Sequence, residues 1–254
     1  MKNNDCLIGY TGFIGQKLLS QKKFSFLYNS KNIHKIKNKK FNNVFCAGAP
    51  GIKWLANKFP KKDLNSINNL KKNIGKMKCK KFTLISTVDV YSNPIDKSEE
   101  NVPRPSAKNS YGKNRLDLEK YVVKNFDNFL IVRLTALVGK GLKKNILHDI
   151  KNKFQLDKIN KRSVYQYYPV DNLLNDIRKL SKEKNKVIHL NSEPVEVNEI
   201  LENNSLILPD KRNKKKRELY DLKSIYSKKY IKIVNYFYNK KKILSIIKKY
   251  INEI

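Results

Sequence analysis

The segment IGYTGFIGQKLL sets three glycines, Gly9, Gly12 and Gly15, three residues apart. A short apolar run, CLIG (6–9), leads into it, and FIGQKLLS (13–20) follows with helical spacing of its apolar residues. A strand, a tight turn and a helix within the first twenty or so residues narrow the choice of fold more than any other feature of the chain. One glycine lets the chain turn sharply off the strand, another lets the backbone approach a ligand, and a third lets helix and strand pack closely. The spacing is G-x-x-G-x-x-G rather than the general dinucleotide fingerprint G-x-G-x-x-G, but the physical demands are shared. A helix N-terminus behind such a turn offers N–H groups and partial positive charge to phosphates. A merely tight β–α turn is the plainer alternative.

The rest of the chain repeats the alternation. FSFLYN (24–29), NVFCAGA (43–49), KFTLISTVDVY (81–91), NFLIVRLTALVG (128–139) and KVIHLN (186–191) read as strands or strands with their exit loops. KDLNSINNLKKNIGKM (62–77) and residues 110–125 read as helices. Strands alternating with helices predict an α/β fold with a parallel sheet. The last third changes character, with aromatic clusters YQYYPV (165–170) and YFY (236–238) in a Lys-rich background. It closes on ILSIIKKYINEI, whose Ile243, Ile246, Ile247, Tyr250, Ile251 and Ile254 recur at helical spacing. This is an amphipathic helix expected to pack on the chain's own body.

A chain of 254 residues can bury one sizeable core with a small second lobe. No apolar run approaches the 18 or so residues of a membrane span, and the N-terminus does not read as a signal peptide. Three widely spaced cysteines, Cys6, Cys46 and Cys79, point to buried thiols in a reducing, cytoplasmic setting rather than a disulfide framework. His34, His148 and His189 show no metal-ligand spacing, so no metal is expected. The net charge of +33 raises nucleic-acid binding as a reading. Yet the basic residues are mostly lysine and run along the whole chain, and with abundant Asn and Ile they follow an AT-rich coding bias. KRNKKKR (211–217) is the concentrated block, and a solvated loop accounts for it. The charge is background that favours anionic small ligands, and a nucleic-acid partner is disfavoured.

In NSYGKNRLDLEKYV (109–122), Tyr111 and Arg115 stand about one helical turn apart and share a face. Either this is a solvated helix face or a phenol held beside a cation for proton transfer. At the end of the second strand, YNSKN (28–32) offers Asn29, Ser30 and Lys31 and no acid. An acid there grips a ribose 2′-hydroxyl and a base favours a 2′-phosphate, so the segment leans towards NADP over NAD.

Four motifs now fall into order: GYTGFIG at 9–15, CAGAP after the third strand, STVDVY at 86–91 and SYGKNR at 110–115. Together they resemble the extended short-chain dehydrogenase/reductase family, nearest its sugar-nucleotide epimerases, dehydratases and reductases, over roughly residues 5–191. The resemblance implies a Rossmann-type parallel sheet flanked by helices, with a smaller C-terminal substrate lobe. Residues 1–140 and 165–193 would form the dinucleotide-binding domain, and 141–164 and 194–254 the lobe. NADP or NAD would lie on Gly9, Thr11, Gly12, Phe13, Ile14, Gly15, Asn29, Ser30, Lys31, Ala47, Gly48 and Ala49. A nucleotide sugar would meet Asp89, Asn145, Gln166 and Tyr168. Catalysis would rest on Thr87, Tyr111 and Arg115, with no membrane and with a homodimer as an allowed assembly.

Three departures from the family pattern matter. Arg115 stands where the motif Tyr-x-x-x-Lys has lysine. The stretch from Gly15 to Tyr111 is short for the family, as though one strand–helix excursion were trimmed. Val88 occupies the place of the acid that dehydratases carry beside the Thr, which argues against dehydration. A working phenolate at neutral pH needs a shift of about three units from the free value near 10, and a cation about 4 Å away supplies energy of that order. The expectation is therefore an epimerase or reductase in which Arg115 activates Tyr111. A binding protein of the same fold that has lost catalysis is the competing reading.

Overall fold

The structure, a computed structural model, describes residues 4–208 and 216–253; most of the lysine block at 211–217 lies outside them. Two compact units emerge. The first comprises Met1–Asn93, Val102–Arg133 and Leu173–Ile188, and the second Pro94–Asn101, Leu134–Asn172 and His189–Ile254.

The first unit is built on strands β1 (Cys6–Ile8), β2 (Phe26–Tyr28), β3 (Lys40–Cys46), β4 (Lys78–Thr87), β5 (Phe129–Leu134) and β6 (Lys186–Leu190). They form one parallel six-stranded sheet in the order β6-β5-β4-β3-β1-β2. Its helices are α1 (Phe13–Gln21), α2 (Lys53–Lys58), α3 (Pro60–Ile74), α4 (Ser110–Asn125) and α5 (Leu173–Lys179). Strand alternation sends Cys6 and Ile8 of β1 and Phe82 and Leu84 of β4 into one core with Ile67, Leu70 and Ile74 of α3 and Leu118 and Val122 of α4. All six residues of β5 are buried, as a strand covered on both faces requires.

The expected trimming is visible in the strand order. Residues 29–39 run from β2 past β1 to β3 with a 3-10 turn, Ile33–Ile36, in place of a helix. Among the described residues β2 is one edge of the sheet, and β6 is the other. The order still reverses between β1 and β3, and that switch point is where open α/β sheets bind their ligands. Register pairs Ile8 with both Tyr28 and Cys46, so Gly9, Asn29 and Ala47 leave the sheet side by side.

The run 128–139 holds β5, which ends at Leu134; Ala136–Val138 pairs with Tyr167–Pro169 in a two-stranded sheet of the second unit. The compact units divide at 134 and 173. The third strand also ends earlier than read, so Ala47–Ala49 form its exit loop. The closing amphipathic helix is Lys240–Asn252, which buries Ile243, Ile247 and Tyr250 within the second unit.

Candidate active site

The glycine turn divides its labour. Gly9 has φ +86°, and a Cβ there would strike the Ala47 backbone; a Cβ on Gly15 would run into the Gly9 carbonyl. Both glycines are therefore demanded by the fold. Gly12 is not: it has extended backbone, and a Cβ would meet only the Gly9 oxygen, at 3.4 Å. The space above Gly12 is open at the start of α1, where no side chain caps the helix and no acid occupies the first turn. An uncapped N-terminus beside an open glycine suits a phosphate.

Around this turn, Gly9 N–H donates to the Tyr28 carbonyl at 2.7 Å and Ala47 N–H to the Ile8 carbonyl at 2.9 Å. Asn29 donates from Nδ2 to the Tyr10 hydroxyl, and its Oδ1 accepts from Lys31 N–H. Asn29 thus shapes the corner that presents exposed Ser30 and Lys31. Thr11 is exposed and Phe13 and Ile14 partly so; Gly48 sits against the Ile8 side chain, and Ala49 packs on the core.

Thr87 ends β4 and begins the 3-10 turn Val88–Val90, with its hydroxyl accepting from Asp89 N–H at 3.2 Å. The Thr87 side chain also acts on the Tyr111 phenol, favouring its ionised form. Ser86, one residue earlier, points to the opposite face and donates to Glu119, itself ion-paired with Arg133. Strand alternation thus separates the two hydroxyls.

Tyr111 is held by contacts that sequence reading missed. Asn109 caps α4 through Gly112 N–H and donates to the Asp89 carbonyl at 2.9 Å. Asn57 of α2 accepts the Tyr111 N–H at 3.0 Å. A Cβ on Gly112 would strike the Asp89 carbonyl, so this glycine lets α4 approach the end of β4. Two signals were present: Asn before the helix is a capping residue, and an isolated glycine inside a helix costs about 1 kcal/mol unless packing needs it.

Arg115 has a partner that its spacing from Tyr111 does not reveal. Its guanidinium is buried (2% exposed) and forked onto Asp63 of α3, with a second bond from Nη2 to the Pro50 carbonyl. Asn114 donates to the same carboxylate at 2.7 Å. The guanidinium carbon stands 4.0 Å from the Tyr111 ring centroid, stacked on its face. Only Nε lacks a partner. Asp63 thus offsets the charge that was expected to activate the phenol. Tyr111 is pushed up to about 12 on balance, burial being the largest cause; Arg115 and Thr87 pull it down, while Asp89 and Asp63 push it up. In the chain by itself the phenol therefore holds its proton more tightly than a free tyrosine.

Asp89 is ion-paired with Lys53 of α2 at 2.6 Å. The other residues read as substrate contacts belong to the second unit, where each has structural partners. Asn145, at φ 98°, caps the helix Ile146–Lys151 and donates to the Leu137 carbonyl. Gln166 is 1% exposed, with its amide bonded to Ser192 and Leu222 backbone groups. Tyr168 is fully buried, edge-on to Tyr238. For Gln166 and Tyr168 these contacts give the core role that aromatic clusters usually have.

No protein-family model and no curated protein matches the chain. Solved structures do. A UDP-glucuronic acid 4-epimerase from Bacillus cereus, in complex with a fluorinated UDP-sugar and NAD, superposes with TM-score 0.75 at 14% identity, covering 98% of each chain. A UDP-glucose 4-epimerase from Thermotoga maritima with UDP-glucose gives 0.71 at 15% identity, over 98% of this chain and 97% of that one. A dTDP-4-dehydrorhamnose reductase from Bacillus anthracis with NADP gives 0.71 at 14%, covering 98% of each. The chain therefore has the Rossmann-type fold of these nucleotide-sugar epimerases and reductases, along nearly its whole length.

Proposed function

We propose that the protein is an NAD(P)-dependent enzyme acting on a nucleotide-linked sugar, as a 4-keto reductase or epimerase. The observation that carries this reading is Thr87 acting on the Tyr111 phenol in the same unit as an open glycine turn at the sheet's switch point. The residues fit a dinucleotide. Gly12 leaves room for the pyrophosphate, the α1 N-terminus faces it, and Ser30 and Lys31 with no acid beside them lean towards NADP. The buried Arg115 Nε is a donor left over for a ribose hydroxyl. When bound, the nicotinamide supplies or accepts hydride.

The chain's own task is the proton. Tyr111, protonated at rest, donates to a sugar carbonyl oxygen as it becomes a hydroxyl, and Thr87 bonds the same oxygen. This resting state suits reduction; oxidation, the first half of an epimerase cycle, needs the phenolate. Asp89 is the acceptor for a neighbouring sugar hydroxyl, and Asn145, partly exposed at its turn, remains a second-unit candidate. The neutralised Arg115 is also what favours the competing reading, a cofactor-binding protein without catalysis. Cofactor titration followed by single-turnover reaction with a panel of UDP- and dTDP-linked 4-keto sugars and alcohols tests both. Hydride transfer supports the enzyme; cofactor binding without transfer to any panel member supports the silent binder.

A further inference from the structure

The charges around Tyr111 come in two opposed pairs from four elements. Arg115 on its own helix is tied to Asp63 of α3. Asp89, in the turn after β4, is tied to Lys53 at the start of α2. The first pair is buried (3% and 4% side-chain exposure), and the second is open to solvent (45% for Lys53, 19% for Asp89).

The position of Lys53 follows from the anchoring of its helix. Ahead of α2, the Pro50 carbonyl receives Arg115; within α2, Asn57 receives the Tyr111 N–H. Lys53 lies between these two attachments to α4, and its ammonium reaches the carboxylate of Asp89. Asp89 in turn is fixed to the catalytic candidates through its backbone. Its N–H donates to Thr87, its carbonyl accepts from Asn109, and that carbonyl lies against Gly112, the residue after Tyr111.

We propose that Lys53 is a positioning residue of the Tyr111 site, whose ion pair with Asp89 helps to set how tightly the phenol holds its proton, alongside the pair of Arg115 and Asp63. This deepens the enzyme reading and rests on Tyr111 being the proton-transfer group. The logic is one of net charge. With both pairs intact, Arg115, Asp63 and Asp89 act on the phenol, and Lys53 lies against Asp89. Without Lys53 the Asp89 charge is less well offset, which disfavours the phenolate. Without Asp89 the phenol faces a surplus cation, which favours the phenolate. A half-exposed ion pair contributes little to stability, so removing Lys53 leaves the fold intact.

The test replaces Tyr111 with a fluorinated, more acidic tyrosine and follows its titration by fluorine NMR in the full chain, with no cofactor or substrate added. Lys53→Met should raise the midpoint by about one unit, and Asp89→Asn should lower it by about the same. Lys53→Arg should restore the parent value, and Lys53→Met with Asp89→Asn should titrate close to the parent. A Lys53→Met midpoint equal to the parent's would overturn the proposal, as would a double variant that titrates with Lys53→Met. These midpoints do not depend on turnover. Shifts as expected in a chain that never transfers hydride would count against the enzyme reading while upholding the electrostatic one.

Discussion

At the scale of single residues, three glycines with one spacing perform different work. Gly9 and Gly15 are required by the turn itself, whereas Gly12 leaves open space. Gly12→Val should therefore give a folded chain that no longer binds dinucleotide, by circular dichroism and nicotinamide fluorescence. Gly15→Ala should instead lower stability, because its methyl would meet the Gly9 carbonyl. Retained affinity in Gly12→Val would remove the turn from the site. Tyr111 carries a second prediction, with a sign. A phenol raised to about 12 is protonated through the neutral range. Reduction of a keto sugar should hold steady from pH 6 to 8, while oxidation of an alcohol should climb roughly tenfold per unit towards that value. Initial rates in the two directions check this; an oxidation rate flat across neutral pH would mean that the phenolate forms more readily than its surroundings allow.

At the scale of elements, α4 is bolted to α3 by one buried ion pair. Arg115→Met strands Asp63 in the interior and should cost about 3–5 kcal/mol by denaturant unfolding. Adding Asp63→Leu should recover much of that loss. If Arg115→Met unfolded like the parent while abolishing activity, Arg115 would be a catalytic group rather than a bolt. The elements show why some of the structure could be read in the sequence. The glycine turn and the Ser110–Asn125 helix carry local signals of spacing and capping, and both stand where read. The helix α2 was missed because GIKWLANKF has no clean apolar face, and its Trp54 and flanking Phe59 remain exposed. The run 128–139 holds two short strands of different sheets in one apolar stretch, and nothing local marks where the first ends. The pairing of Arg115 with Asp63 joins positions 52 residues apart, and a one-turn spacing of Tyr and Arg cannot reveal what else the arginine touches. The polarity of Gln166 and Tyr168 is legible in the sequence, but their partners follow from burial, which is set by the whole unit.

At the scale of the whole molecule, the charge of +33 is spread, and the site's own charges are locally balanced. Among the described residues no helix is long and apolar enough to cross a membrane. A basic surface raises the local concentration of anionic ligands and is screened by salt. Raising ionic strength from about 0.05 to about 0.5 M should weaken NADP binding more than NAD binding, and Lys31→Glu should erase the difference. Equal salt dependence of the two cofactors would remove Lys31 from the cofactor site. The central claim is that Thr87 and Tyr111 move a proton while hydride moves on a bound nicotinamide. Its most direct test is single-turnover hydride transfer in the parent and Tyr111→Phe, with cofactor affinity measured alongside. The account predicts unchanged cofactor binding and a transfer rate lower by a factor of about 10² or more in Tyr111→Phe. A Tyr111→Phe chain that transfers hydride as fast as the parent would contradict it.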